Sequence, residues 1–498
     1  MSKSSKKGKK KAAKKAAAEV SLEYQAIQST DRRQAPRTVA HHEDRVLSSF
    51  KRKKLTATAQ DQARNYSLLA WMIRRHVDYV SQHKPHVRTG HRALDKKVKR
   101  LLDYYGRPEQ FDIRGRLSRD EAMRLFEMSK VVGGDAAFLE LRDGRRQLFE
   151  GTSIGKAKKG LPKKWEPRVR DSGLVLDKRT GAMTHACLLT WNAEGNEQVF
   201  GRMVPAKDFI FDAYWPRVSS SRGVSPLSTA LNTFADLMEA FELTHLKIKL
   251  HTLFGIAVTR DGAEYGEGGE GYDGEEDEDD DLPNAAPAGI DLGNGPALFN
   301  MEPGEKVEVI ESQTPGSQFI DFSRFAARVG LLSLDIPFTA FDAMQSSFSA
   351  RIADREEYEY SARSKRLKNQ QVLNRMTQRD VERWGTDPDI LSDDLKEYGV
   401  TVEELAQAIQ WIPIGMPWMD KLKEVAGDEK AIAIGIESSP RAALRRGVDA
   451  YECLEEQAEF LEYAKELGVP ITIGAPGQST VEEKKRVEGE PNEETNDE

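Results

Sequence analysis

One stretch limits what the rest of this chain can do. Residues 225–254, SPLSTALNTFADLMEAFELTHLKIKLHTLF, read as a single long helix. Ser225 followed by Pro226 is a strong start signal: a serine hydroxyl satisfies an orphan N–H of the first turn, and proline has no N–H to leave unsatisfied. Neither Gly nor Pro interrupts before Gly255, so the helix would run about 28 residues, roughly 40 Å. Leu227, Leu231, Phe234, Met238, Phe241, His245, Ile248 and Thr252 recur at helical spacing, and Leu237, Leu243, Leu246, Leu250 and Leu253 form a second stripe. A surface helix of a monomer needs one apolar face. Two faces require either burial in a large core or packing between neighbouring molecules, and the residues alone leave both open.

With 498 residues the chain has length for two or three domains. Charged residues make up 31% and the mean hydropathy is −0.61, so a soluble protein with a charged surface is expected. No apolar run is long enough to span a bilayer, and no signal-peptide core follows the Lys-rich start; no membrane partner is expected. The two cysteines, Cys187 and Cys453, form neither a CxxC pair nor a disulfide framework, which suits a reducing cytosol. A formal net charge of −7 argues against a protein whose main task is to grip DNA phosphates, but not against one that handles DNA loosely.

Taken in order, residues 1–39 open with a low-complexity basic arm, either a disordered solubilising segment or a flexible contact for nucleic acid or an acidic partner. Helical patterns follow at 44–82, 94–105 and 118–132, the last opened by Ser118 and Glu121 in a capping-box arrangement. Strands are expected at 136–142, closed by the hairpin signal Asp143-Gly144, and at 173–176, 184–191 and 198–204. Beyond the long helix come a strand at 255–259, an acidic insertion over 261–288 too poor in apolar residues to pack, strands at 297–301 and 306–310, and helices at 319–334 and 351–384. The chain closes with helices at 401–410, 418–427, 428–434, 439–447 and 450–467 and a charged tail over 471–498. The fold class expected is α+β with antiparallel pairing.

Chemistry-bearing motifs are scarce. Residues 151–157, GTSIGKA, approach a phosphate-binding loop but have one residue too few between the glycines and lack the Ser or Thr after Lys156 that would hold Mg²⁺. The run GEGGEG at 266–271 has dinucleotide spacing without the strand–helix context. No HExxH or Cys/His zinc spacing occurs, no GxSxG elbow precedes a helix, and the acidic run 273–281 lacks the interleaving of a calcium loop. No metal, cofactor or catalytic residue is expected. Two readings survive: an enzyme with a site assembled from scattered residues, and a structural subunit whose two-faced helices pack between copies in a ring. The missing motifs and the acidic loop between two helices favour the second.

Several ordered motifs carry a resemblance. Pro205-Ala206, then Arg222-Gly223-Val224-Ser225-Pro226-Leu227 before a long helix, resembles the portal proteins of tailed bacteriophages, the lambda-type family. Ala63-Arg64-Asn65 before an amphipathic helix, Gly173 with Asp177 and Gly181, Ser347-Phe348-Ser349-Ala350-Arg351 opening a polar helix, and the run from Trp411 through Lys423-Glu424 to Leu467-Gly468 are similar in the same order. The resemblance covers about residues 40–470. His83-Lys-Pro-His86 stands where the family often has Val-Gly-x-Gly, and Trp418-Met-Asp420-Lys421 replaces its more usual Asp-Pro after the Trp.

The resemblance implies a homo-oligomeric ring, twelve subunits as a rule, at one capsid vertex. It implies a channel for double-stranded DNA in packaging and ejection and a nucleator of procapsid assembly. Implied partners are the terminase, the major capsid and scaffolding proteins, and the head-completion or tail connector proteins, in the virion and, during assembly, in the host cytoplasm. The implied division is wing at 40–216, first stem helix at 217–254, clip at 255–316, second stem helix at 317–334, tunnel loop at 335–350, long wing helix at 351–384, and wing and crown at 385–470. The tunnel loop would present Met344, Gln345, Ser346, Ser347 and Ser349 to DNA, small or uncharged groups suited to sliding. Lys247 and Lys249 would place positive rings in the stem, Phe234, Met238 and Phe241 would hold subunits together, and Glu275, Asp277 and Asp279 would dock partners at the clip. The alternative from a different class is a DNA-packaging or DNA-processing enzyme of the motor ATPase type, with Lys156 at its centre.

Overall fold

A computed structural model describes residues 43–253, 256–260, 305–309, 316–342, 347–414, 421–469 and 471. The basic arm, the acidic insertion, the expected strand at 297–301 and the tail beyond residue 471 lie outside the described residues.

Helix α1 (Ser49–Asn65) buries only Thr56, Ala59 and Gln62, a stripe of period three. Extended Tyr66 separates it from α2 (Ser67–Val80), whose Leu69, Met72, Ile73, His76, Val77 and Val80 face inward. Strand β1 (His83–Val87) comes next. Helix α3 (Arg92–Tyr105) buries Leu94, Val98 and Leu102 at spacing four, and most of its remaining residues are charged. Helix α4 (Arg119–Gly133) starts at the expected capping box, Ser118 accepting from the Glu121 amide and Glu121 accepting from the Ser118 amide. It stops at Gly134, whose φ of +93° is costly for a residue with a Cβ.

Two small antiparallel sheets follow. Strands β2 (Asp135–Glu140) and β3 (Arg146–Glu150) form the hairpin turned at Asp143-Gly144, with Glu140 opposite Arg146. Strands β4 (Leu174–Leu176), β5 (Met183–Trp191) and β6 (Gln198–Pro205) form the second sheet, bulged at Leu188–Leu189. Strand β7 (Phe209–Ala213) returns to β2, giving the order β3-β2-β7. Ala137, Leu139 and Phe209 of one sheet bury against Leu174, Ala186, Leu188 and Val204 of the other.

The long helix is interrupted at its start. Ser225 caps a single 3₁₀ turn, Pro226–Thr229, and the α-helix proper, α5, runs Leu231–Leu253. Strands β8 (Ile256–Arg260) and β9 (Glu305–Val309) pair antiparallel across the acidic insertion. Helix α6 (Ser317–Leu331) ends in a 3₁₀ turn closed by Asp335 at φ +60°. Helix α7 (Phe348–Thr386), 39 residues long, begins three residues before the expected start at Arg351 and ends two beyond Trp384.

The C-terminal part corrects the sequence reading twice. Helix α8 (Val402–Ala408) stops short of 410, and strand β10 (Ile409–Pro413) pairs antiparallel with β1, Val87 opposite Ile409. The motif around Trp411 is therefore half of a two-stranded sheet; its Trp411 side chain is buried and donates to Thr377 Oγ1 at 2.8 Å. Helix α9 (Lys421–Ala433) continues through Gly427, where two helices were expected. Helices α10 (Ser439–Arg445) and α11 (Ala450–Glu466) close the described chain.

Two cores organise the protomer. One gathers α3, α4, the C-terminal half of α7, α8 and β10 around Phe126, Phe138, Trp384 and Trp411. The other gathers α1 and α2 with Leu227, Leu231 and Phe234, Leu331 and Leu334, and Tyr358 and Ala362 of α7. Each fully buried side chain of this size contributes about 1.5–3 kcal/mol.

Candidate channel wall and the joint that carries it

The Ser-Arg-Gly-Val-Ser-Pro run before α5 is a buried joint. Arg222 is 2% exposed, a charge that must find every partner inside the protein. Its Nε and Nη2 donate to the two carboxylate oxygens of Asp135 at 2.6 and 2.7 Å, Nη1 donates to the carbonyls of Ile154 and Ser172 at 2.8 and 2.7 Å, and Nη2 also to Gly151 at 2.7 Å. All five donors of the guanidinium are thereby used. The Gly223 amide adds a bond to Asp135 Oδ2 at 3.0 Å. Gly223 and Gly134 lie backbone against backbone: a Cβ on Gly223 would sit 2.0 Å from the Gly134 carbonyl oxygen. Ser225 Oγ donates to the Val131 carbonyl at 2.6 Å and accepts from the Leu227 amide at 3.2 Å. Arg52 at the edge is pushed down to about 10, by burial first and the like charge of Arg222 second. The joint thus locks the end of α4, both sheets and the start of α5 into one body. The sequence singled out Arg222 to Leu227, but not Asp135, which no local signal marks.

From this anchor α5 leaves the core. Phe234, placed among subunit contacts by the resemblance, is 1% exposed within the protomer, and its ring lies where a Cβ on Gly330 would be 2.6 Å away. Leu237 is buried against Ala326 and Ala327 of α6. Met238 is half-buried. Phe241 is 42% exposed and packs edge-on against Phe319 with ring centroids 5.7 Å apart. Farther along, Leu243 and Leu246 are exposed, as are Ile320, Phe322, Phe325 and Val329 on α6. A groove of about 930 Å³ between the two helices is lined by Leu68, Trp71, Leu237, Phe241, Ile248 and Phe319 among others. Lys247 and Lys249 are exposed.

The loop after α6 is fixed at both ends to α7. Asp335 accepts from Ser361 Oγ at 2.6 Å and Lys365 Nζ at 2.9 Å. Burial pushes its carboxyl up, but these two bonds outweigh that and hold it below its usual value. Thr339 Oγ1 donates to Asp354 at 2.7 Å. Ser347 is the N-cap of α7, its hydroxyl accepting from the Ala350 amide at 3.2 Å, and Ser349 is exposed on the first turn. Met344, Gln345 and Ser346 lie outside the described residues, as do Glu275, Asp277 and Asp279.

Over residues 30–363 the sequence matches the family described as phage portal protein, lambda family. The chain belongs to that family. No curated protein matches it. Solved structures that resemble it include the virion of a native gene transfer agent particle, at 12% identity and a TM-score of 0.44, covering 84% of this chain and 94% of that one. The neck of an empty particle of that kind resembles it at 13% identity and TM-score 0.41, covering 83% and 94%. The neck of the native particle with C12 symmetry does so at 12% and 0.43, covering 78% and 93%.

As a portal protein the chain belongs to a structural family, and nothing in its described residues supports the motor ATPase alternative. The near phosphate loop is used up in the joint: the Gly151 carbonyl accepts from Arg222, and a Cβ there would lie 2.1 Å from Asp135 Oδ1. Lys156 points outward, exposed. Among the described residues no group of His, Cys, Asp or Glu is placed to hold a metal ion, and no helix is long and apolar enough to cross a membrane.

A second buried polar cluster was not legible in the sequence. Lys130 Nζ donates to Glu127 at 2.8 Å, Asp212 at 2.7 Å and Asn369 at 2.9 Å. Tyr214 donates to Glu127 Oε1 at 2.5 Å, and His76 Nε2 lies 3.2 Å from the Tyr214 hydroxyl. Burial would raise the Glu127 carboxyl, but Lys130 and His76 outweigh it and hold the group well below the carboxylate range. Burial, only partly offset by Glu127, pushes His76 down, so it is neutral at pH 7. The cluster ties α2, α4 and β7 to the middle of α7. The one available signal was a Glu and a Lys at i and i+3 on the apolar face of α4, beside Met123 and Phe126.

Proposed function

We propose that this portal protein works as one subunit of a closed ring, twelve copies as the resemblance implies, set at a single capsid vertex with duplex DNA passing through its centre in packaging and ejection. The observation that carries the reading is the apolar surface of α5 and α6 that the protomer leaves uncovered, from Phe241, Leu243 and Leu246 to Phe322 and Phe325. Contiguous apolar surface of this kind marks an interaction site, and a ring supplies the same partner to every copy through a heterologous interface that closes on itself. On this reading residues 217–254 and 317–334 are stem helices, 255–316 the clip, 335–350 the tunnel loop and 351–384 the long helix behind it, with wing at 40–216 and wing and crown at 385–470. Phe241 and Met238 meet the next subunit, and Lys247 and Lys249 face the channel or its outer wall.

The loop fixed by Asp335 and Ser347 presents uncharged groups to the duplex. Each fixed cation there would add a salt-dependent phosphate contact and slow sliding. The terminase, capsid and scaffolding proteins and the connector proteins are the further partners, the acidic insertion with Glu275, Asp277 and Asp279 meeting some of them at the clip. The protein is a virion component assembled in the host cytoplasm. Negative-stain imaging with mass measurement of the full chain tests the reading: a ring with a central hole is expected, and a monomer at every concentration would overturn it.

A further inference from the structure

Seven of the fifteen residues 156–170, AKKGLPKKWEPRVR preceded by Lys156, are Lys or Arg, and only Glu166 is acidic, in a chain whose net charge is −7. Such a run is usually a solvated tail. Here it is built into the protein. Ala157, Leu161, Trp165 and Val169, one residue in four, turn inward onto Cys187 and Leu189 of β5 and Phe200 of β6. Its backbone is pinned as well: the Phe200 amide donates to the Lys159 carbonyl at 3.2 Å, the Val169 amide to Trp165 at 2.9 Å and the Arg170 amide to Leu174 at 3.0 Å. With the apolar side chains committed inward, the cations are held on the outside of a fixed surface.

The neighbouring helix adds to the charge. Lys51, Lys53 and Lys54 on the first turns of α1 are exposed, and Lys53 Nζ reaches Gln198 at 3.0 Å. Lys53 is pushed below the usual lysine value by burial first and by the charge of Lys158 second, which marks cations crowded together. Glu197 pairs with Lys159 at 2.8 Å. Among the described residues no ion pair is formed by Lys158, Lys163 or Lys164.

We propose that this face is a second, outer contact for duplex DNA, gripping the phosphate backbone without reading its sequence. Most of its cations are lysines, point charges without the forked geometry that recognises a particular carboxylate, and of the segment's apolar side chains only Pro162 and Pro167 are exposed, with Leu161 and Trp165 packed inward. A surface that offers only spaced positive charge fits a uniform polyanion. The contact takes its ligand from the duplex cargo proposed above, but it does not depend on the ring.

A relaxed, covalently closed plasmid tests it, because a circle without ends cannot thread a channel. The full chain should retain the plasmid, with log K falling linearly in log salt between about 50 and 200 mM. The combined substitution Lys158→Gln, Lys163→Gln and Lys164→Gln should make that slope shallower by about 2.7. An unaltered slope in the triple variant would overturn the proposal. So would polyglutamate binding more tightly than the duplex and losing affinity in that variant, since the partner would then be an acidic protein. Ring formation is read separately by mass, so a monomer that still shows the shift refutes the ring and not this contact.

Discussion

The Arg222 joint and the α5–α6 hairpin are connected by one helix, yet they leave their chemistry in opposite states. At the joint a buried guanidinium and a buried carboxylate are matched bond for bond within the subunit. Along the hairpin, Leu246 and Phe325 remain 52% and 65% exposed, and nothing among the described residues covers them. A buried charge cannot wait for assembly, because each unpaired state costs several kcal/mol. Apolar surface can, because its burial is non-directional and proportional to area. The subunit therefore completes its polar contacts first and leaves hydrophobic area for its neighbours.

The largest expected effect falls on the joint. Asp135→Ala strands Arg222 without its carboxylate and should destabilise the subunit by about 3–5 kcal/mol, read as a lower midpoint in denaturant unfolding and as loss of soluble protein. A change below about 1 kcal/mol would show that water replaces the carboxylate and that the joint is not what holds the body together. Next come two phenylalanines on one helix. Phe234→Ala, inside the protomer, should cost about 3–5 kcal/mol. Phe241→Asp should leave the isolated subunit within about 1 kcal/mol of the parent but stop ring formation by mass measurement. Equal loss of folding in both would erase the contrast between the two ends of α5.

What could be read in the sequence follows the same division. Local signals were enough for the capping box at Ser118, the Asp143-Gly144 hairpin and the Ser225-Pro226 cap ahead of α5, each specified by residues within a few positions of one another. Pairing of β1 with β10 was not, because Val87 and Ile409 are far apart in the chain and Pro85 and Pro413 obscure any strand pattern. Asp135 was invisible for a related reason: an acidic residue at the start of a strand looks ordinary until a distant arginine is folded onto it. Phe234 and Phe241 belonged to one stripe in the sequence. Only the position of Gly330, whose missing side chain makes room for the Phe234 ring, separates them.

A smaller, graded effect is expected from acid. Glu127 has a folded value depressed below its unfolded one, so its stabilising contribution is full above about pH 4.3 and is lost progressively as pH falls below that toward the depressed folded value. His76, also depressed by burial, loses its contribution as pH falls below about 6.5, where the unfolded chain takes up a proton that the folded one refuses. Melting temperature should decline between pH 7.5 and 5.5, conditions given as about the span of that histidine step, and decline further toward pH 4. His76→Gln should flatten the first step and leave the second. If the first step persists in that variant, the cluster under α7 is not its source.

The smallest effect separates the two regions most finely. Ser347 stands where the loop after α6 becomes α7, and its hydroxyl accepts from the Ala350 amide. Ser347→Ala removes one cap, worth about 1 kcal/mol, and the loss should stay local. The amide of Ala350 should exchange with solvent faster, roughly five-fold for each 1 kcal/mol of lost protection. Amides beside Asn369, where α7 is gripped by Lys130 and Glu127, should not change. Ring formation should survive, since the cap touches neither the joint nor Phe241. Faster exchange along the whole of α7 would mean that the helix opens as one unit, and that the loop and the buried cluster are coupled through it.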